Sequence, residues 1–182
     1  EFGYQPILDI IKNEEDKYEY QPNEETEIKG ESKIRGRIIH KILSSEKKLS
    51  NYKTFLLEET KREKIFNEKF IYSIKEDLEM FLNSSTYKET TSFKDYKNEF
   101  EVYSKQNDYI LYGIIDKIIF NNDEIIIIDY KTDNVSIEEI PQRAKDYFSQ
   151  LMFYAIILKN LYPQTKKYLL QLIFIKHPDE KI

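Results

Sequence analysis

Four consecutive isoleucines, Ile125 to Ile128, bounded by Glu124 and Asp129, constrain this chain more than any other segment. A short run of β-branched residues reads as a strand covered on both faces. At its carboxyl end stand Asp129, Tyr130, Lys131, Thr132 and Asp133. Residues i and i+2 of a strand point to the same side, so Asp129 and Lys131 face one point, roughly 7 Å apart along the backbone. Charges at the end of a buried strand are costly unless they are paired or used. The plain alternative is a structural ion pair; the chemical one is metal-assisted hydrolysis of a phosphate ester.

The length of 182 residues suits one compact domain. Hydrophobic residues make up 40% and charged ones 34%, which predicts a globular protein with a heavily charged surface. No apolar run approaches the ~20 residues of a membrane span, and the polar, acidic start does not read as a signal peptide. Glu1-Phe2 reads as a cloning remnant, hence a fragment excised from a longer protein. The absence of cysteine excludes disulfides, zinc–thiolate sites and an iron–sulfur cluster, and a reducing cytoplasm is the expected location. Net charge is −5, whereas free-standing nucleic-acid binders are usually basic. Either this is no nucleic-acid protein or another domain delivers the polymer to it.

Residues 1–33, almost wholly polar from Lys12 onward, are expected to be an N-terminal arm, partly disordered; residues 34–182 form the domain. Helical spacing of apolar residues predicts a helix from Ile34 to Leu49, one or two more from Tyr52 to Phe70, and an amphipathic segment from Tyr72 to Leu82. Glu99–Tyr103, Tyr109–Phe120 and Glu124–Lys131 read as strands, with turns at residues 106–108 and 121–123. Pro141 opens a long helix to Leu161, with Phe148, Leu151, Met152, Ala155 and Ile156 expected in the core. Lys167–Lys176 is a last strand. Helices, three strands, a helix and a strand make an α/β fold: a small mixed sheet flanked by helices.

A two-residue loop at Asn122-Asp123 puts Asp116 directly opposite Asp129, Cβ atoms ~5 Å apart. Like charges so placed are destabilising unless a cation lies between them, and a hard divalent ion held by carboxylates and waters describes magnesium. One strand earlier, a four-residue loop at 105–108 brings Glu99 and Glu101 onto the Asp116 face, opposite Ile114 and Tyr112; a three-residue loop turns both away.

With these residues in hand, the chain resembles the RecB/AddA-type nuclease domains of the PD-(D/E)XK superfamily, whose core is restriction-endonuclease-like. The resemblance rests on Gly36-Arg37-Ile38-Ile39-His40, on Glu99, on Gly113-Ile-Ile-Asp116, on Asp129-Tyr-Lys131-Thr, and on Gln150-Leu-Met-Phe-Tyr154, in that order. It implies that His40, Asp116, Asp129 and the Tyr130 backbone carbonyl ligate Mg2+, with Mn2+ able to substitute. It also implies that Lys131 orients the attacking water and that Glu99 is the family's early glutamate. Gln150 and Tyr154 support the site, and Tyr154 touches DNA. Arg35 and Arg37, beside His40, are further DNA-contact candidates. No Gly-x-x-x-x-Gly-Lys phosphate loop is present, so the chain is not a motor.

The implied function is magnesium-dependent DNA cleavage, exonucleolytic before endonucleolytic, on single-stranded or unwound ends. The implied partner is a helicase, fused upstream or a separate polypeptide, in double-strand-break repair; no membrane is involved. The competing reading is a catalytically silent relative that binds DNA ends or serves as a scaffold. A third is a phosphatase acting on a small molecule, which a closed pocket would favour over a channel.

Overall fold

The protein is described by a computed structural model covering residues 24–106, 109–180 and 182. It divides into two units, Glu1–Glu31 and Ser32–Ile182. Of the first unit, Glu24 onward is helical, and residues 1–23 of the expected arm lie outside the described residues. Residues 24–33, the last part of the expected arm, are helical and form the first turns of helix α1 (Glu24–Leu43). Glu and Lys are good helix formers, so a polar stretch need not be a loop.

Three short-range caps break up the helical half. Ser45 accepts the Lys48 N–H and starts α2 (Glu46–Ser50). After α3 (Tyr52–Arg62), Asn67 accepts the Lys69 and Phe70 N–H groups and starts α4 (Glu68–Asn83). Ser84 accepts the Tyr87 N–H and starts α5 (Ser85–Ser92), a short helix that apolar spacing does not announce.

The sheet has the order β1-β2-β3-β4, formed by Tyr96–Gln106, Tyr109–Asn121, Glu124–Lys131 and Lys167–Phe174. The first three are an antiparallel meander. α6 (Ile140–Leu161), preceded by a 3-10 turn at Ile137–Glu139, carries the chain back so that β4 lies parallel to β3. Pro141 stands in the first turn of α6, where its missing N–H costs nothing.

β3 is buried on both faces, as its isoleucines require. Ile126 and Ile128 pack with Ile38, Ile39 and Ile42 of α1 and with Ile74, Leu78 and Phe81 of α4. Ile125 and Ile127 pack with Leu151, Ile157 and Leu158 of α6. Each buried isoleucine contributes roughly 1.5–3 kcal/mol of transfer free energy. The inner face of α6 differs from the expected one. Leu151 is buried, but Phe148 and Met152 are exposed, and Ala144, Tyr154, Ile157 and Leu158 take the core positions. Two broad apolar stripes are present on this helix, and only the sheet decides which is covered.

Candidate active site

The end of β3 carries the first half of the site. Asp129 is 3% exposed, and the Lys131 ammonium lies 2.7 Å from its Oδ2. That ion pair is the contact this buried oxygen makes within the protein. Lys131 also donates to Gln150 Oε1 at 2.8 Å and sits 3.9 Å from the centre of the Tyr147 ring. Gln150 is turned by Tyr154, whose hydroxyl accepts from Nε2 at 2.9 Å. Tyr154 lies on β2 at Gly113, where a Cβ would come within 2.7 Å of its ring; the missing side chain makes room for the tyrosine. Tyr147 is pinned in turn, donating to Asp133 at 2.9 Å, and Asp133 also accepts from Arg143 at 2.8 and 3.1 Å.

The second half comes from α1 and the β1–β2 hairpin. Gly36 lets α1 approach β3: a Cβ there would lie 3.1 Å from Thr132 Oγ1. One turn later His40 places Nδ1 3.1 Å from Asp116 Oδ1. The other oxygen of Asp116 accepts the Tyr130 backbone N–H at 2.7 Å. The β2–β3 register runs from Asn121↔Glu124 to Lys117↔Ile128, which makes Asp116 and Asp129 the next rung, as the two-residue loop requires.

The β1–β2 loop is shorter than either alternative read from the sequence. Gln106 pairs with Tyr109, so the register carries Glu99 opposite Asp116 rather than Ile114. Glu101 pairs with Ile114. The ladder skips Glu99, whose φ is 48°; a left-handed glutamate is uncommon and gathers at functional sites. One ligand atom from each of His40, Glu99 and Asp116 lies within 4.8 Å of the others.

Charge crowding perturbs these groups. Burial raises Asp129 to about 6, and the Asp116 carboxylate adds to the rise against the opposing pull of Lys131. Burial and Asp116 likewise raise Glu99. For His40 burial works downward, but the carboxylates of Asp116, Asp129 and Glu99 outweigh it and hold the imidazole above its usual value. A divalent cation fits this arrangement: an imidazole and two carboxylates converge, and burial together with the Asp116 charge raises Glu99 and Asp129.

Other expected site residues fall differently. Arg35 forms a part-buried ion pair with Asp77 and donates to Ser73 at 2.9 Å. Its guanidinium is therefore spent on joining α1 to α4, not presented to a polymer. Arg37 is 60% exposed and pairs with Glu63 on the surface. Tyr154 is buried, so it props Gln150 rather than offering a face to DNA. The Tyr130 side chain is buried among core residues, leaving only its backbone for the site. Asp133 and Arg143 join the site without having been expected there. Asp133 continues the two-residue period of Asp129 and Lys131, which was the available signal.

The family model of the PD-(D/E)XK nuclease superfamily matches residues 15–181. Curated relatives include one subunit of the ATP-dependent helicase/nuclease of Streptococcus pyogenes, from serotype M5 (strain Manfredo) and from serotype M49 (strain NZ131). Each is 41% identical over 66 residues, which is 35% of this chain and 5% of the relative. The chain thus spans a small part of the curated relatives it matches. Among solved structures, the protein VC1899 from Vibrio cholerae aligns with a TM-score of 0.33 and 14% identity, over 80% of this chain and 47% of that one.

Proposed function

The chain belongs to the PD-(D/E)XK nuclease superfamily, and we propose that it hydrolyses phosphodiester bonds of DNA with the aid of Mg2+. The observation that carries this reading is the convergence of His40, Glu99 and Asp116 near the buried Asp129–Lys131 pair. His40, Glu99, Asp116 and Asp129, with the Tyr130 carbonyl, would hold the cation. When bound, it supplies Lewis acidity at the phosphate and lowers the pKa of a coordinated water. An imidazole among carboxylates also suits Mn2+.

The chain's own residues divide the remaining work. Lys131 carries a positive charge in a partly dry setting, where it acts more strongly than in bulk water. Gln150 and the Tyr147 ring keep that ammonium from folding onto Asp129 alone. Asp116 aligns His40 through one oxygen and ties the site to β3 through the other. Glu99 and Asp129, both held above ordinary carboxylate values, would hold the cation as ionised carboxylates, so that its binding would release to solvent any proton they carry.

The relatives are named as part of an ATP-dependent helicase/nuclease, which supports a helicase as partner, fused or separate; the proposed substrate is the single-stranded end that such a motor would deliver. A net charge of −5 accords with a nuclease supplied with DNA by a motor. Exonucleolytic action in double-strand-break repair, in the cytoplasm, completes the proposal.

The test uses end-labelled single- and double-stranded DNA with Mg2+, Mn2+ or EDTA, beside Asp129→Ala and Lys131→Ala variants. Cleavage that needs metal and is lost in both variants is the expected result, and the product ladder separates exonuclease from endonuclease. Folded wild-type protein that binds DNA but never cleaves it, with helicase added, would support the silent scaffold instead.

A further inference from the structure

Two periodic lines of residues meet at Lys131. Asp129, Lys131 and Asp133 follow at every second position along and just beyond β3. Arg143, Tyr147, Gln150 and Tyr154 follow at i, i+4, i+7 and i+11 of α6, the spacing of one helix stripe. The lines interlock. Gln150 accepts from Lys131 at 2.8 Å, and the Tyr147 ring centre lies 3.9 Å from the same ammonium. The Tyr147 hydroxyl lies 2.9 Å from each oxygen of Asp133.

Asp133 holds the ring, not the ammonium. Among the described residues the ion pair of Lys131 is with Asp129, and that of Asp133 is with Arg143. The attraction of a ring for a cation depends on turning its face to it, because the face is negative and the edge positive. A bond at the hydroxyl fixes the tilt of the ring and so keeps that face on Lys131. Burial and the Asp133 bond push the Tyr147 hydroxyl up to about 12, so it keeps its proton and donates at neutral pH.

A carboxylate used as the anchor would by itself compete with Gln150 for the ammonium. Arg143 occupies it. Its Nε and Nη2 donate to one Asp133 oxygen at 3.1 and 2.8 Å, while its Nη1 donates to Asp146 at 2.9 Å.

We propose that Asp133 and Arg143 are positioning residues that act on Lys131 through Tyr147. Asp133 fixes the ring, the ring and Gln150 hold the ammonium, and Arg143 neutralises the anchor so that it does not capture the ammonium itself. The kinetic consequence rests on the nuclease reading; the placement of the ammonium is a property of the folded chain alone.

Two measurements on the same variants test it. The first needs no catalysis: the folded protein is pulsed with an amine-acylating reagent, and the yield at Lys131 is read by mass spectrometry against the exposed Lys159. The Lys131 side chain is 13% exposed and should label slowly in wild type. Asp133→Ala and Tyr147→Leu should label several-fold faster at Lys131 alone. Asp133→Asn, which keeps an acceptor for the hydroxyl, should label at close to the wild-type rate. Where Asp133→Ala fails to fold, Tyr147→Phe, which removes only the hydroxyl, carries the same expectation at smaller size.

The second is cleavage with Mg2+ or Mn2+. Asp133→Ala and Tyr147→Leu should lower kcat on the order of ten-fold with KM for DNA and Mn2+ affinity unchanged, and Asp133→Asn should recover most of the loss. Combined with Lys131→Met, neither should lower kcat further, because residues acting as one unit are not additive. Arg143→Met should lower kcat too, and recover when joined to Asp133→Asn, since a neutral anchor needs no counter-charge. Unchanged labelling of Lys131 in Tyr147→Leu, or a kcat loss that persists in full on top of Lys131→Met, overturns the proposal. The expected labelling without any cleavage by wild type, helicase added, leaves the placement of Lys131 standing and overturns the nuclease reading.

Discussion

The carboxylate of Asp116 replaces a strand ladder bond: its Oδ2 accepts the backbone N–H of Tyr130 at 2.7 Å, just past the Lys117↔Ile128 rung of the β2–β3 ladder. The same side chain meets His40 at 3.1 Å. One residue therefore joins the helix, the hairpin and the end of the central strand, so its structural and chemical roles separate by choice of substitution. Asp116→Asn keeps an oxygen for Tyr130 and should fold with a Tm close to wild type while losing metal-dependent cleavage. Asp116→Ala orphans the N–H and should cost a further 1–3 kcal/mol or so of stability. Denaturant melts of the two variants give the comparison, and equal stability would show that the Tyr130 bond contributes nothing.

Lys131 is held by Gln150 and the Tyr147 ring, neither of which is a cation donor. Lys131→Met should lower kcat by on the order of 10²–10³ while the folded protein still binds Mn2+ in a titration. Gln150→Leu should lower kcat by less, because the ring still holds the ammonium. Loss of Mn2+ binding in Lys131→Met would place the lysine's role in assembling the site instead.

Metal binding should depend on pH in a defined direction. Asp129 is raised from 3.8 to about 6, so its proton stabilises the folded chain below pH 4, and that contribution is lost as pH rises through 6. His40, raised above 6.5, acts in the same sense at higher pH. A divalent cation needs both groups deprotonated. Adding Mg2+ should therefore leave Tm nearly unchanged at pH 5 and raise it by several degrees at pH 8, given about 2–4 °C per kcal/mol. A shift equal at both pH values would remove these two residues from the ligand set.

The two arginines beside His40 should behave oppositely. Arg35→Ala strands a part-buried Asp77 and should destabilise by roughly 2–3 kcal/mol without changing KM for DNA. Arg37 is surface-exposed, so Arg37→Ala should leave Tm unchanged within error and raise KM by a few fold. Reversed phenotypes would restore Arg35 to the DNA-contact surface.

Local chemistry reached far into this protein. Four isoleucines demanded a doubly covered strand, the two-residue period put Asp129 and Lys131 on one side, and Asn122-Asp123 closed the hairpin in the register that brings Asp116 opposite Asp129. Such features depend on residues close together in the chain, where the pleat and the turn leave little freedom. Longer-range choices were not legible there. Whether the β1–β2 loop had two, three or four residues decided which partner Glu99 meets. Which stripe of α6 turns inward was settled by the sheet, and with it that Tyr154 supports Gln150 while Phe148 stays exposed. Arg35 found Asp77 across 42 residues of chain, an ion pair that spacing cannot announce. In each case several local arrangements satisfy the same pattern, and only burial against a distant element separates them.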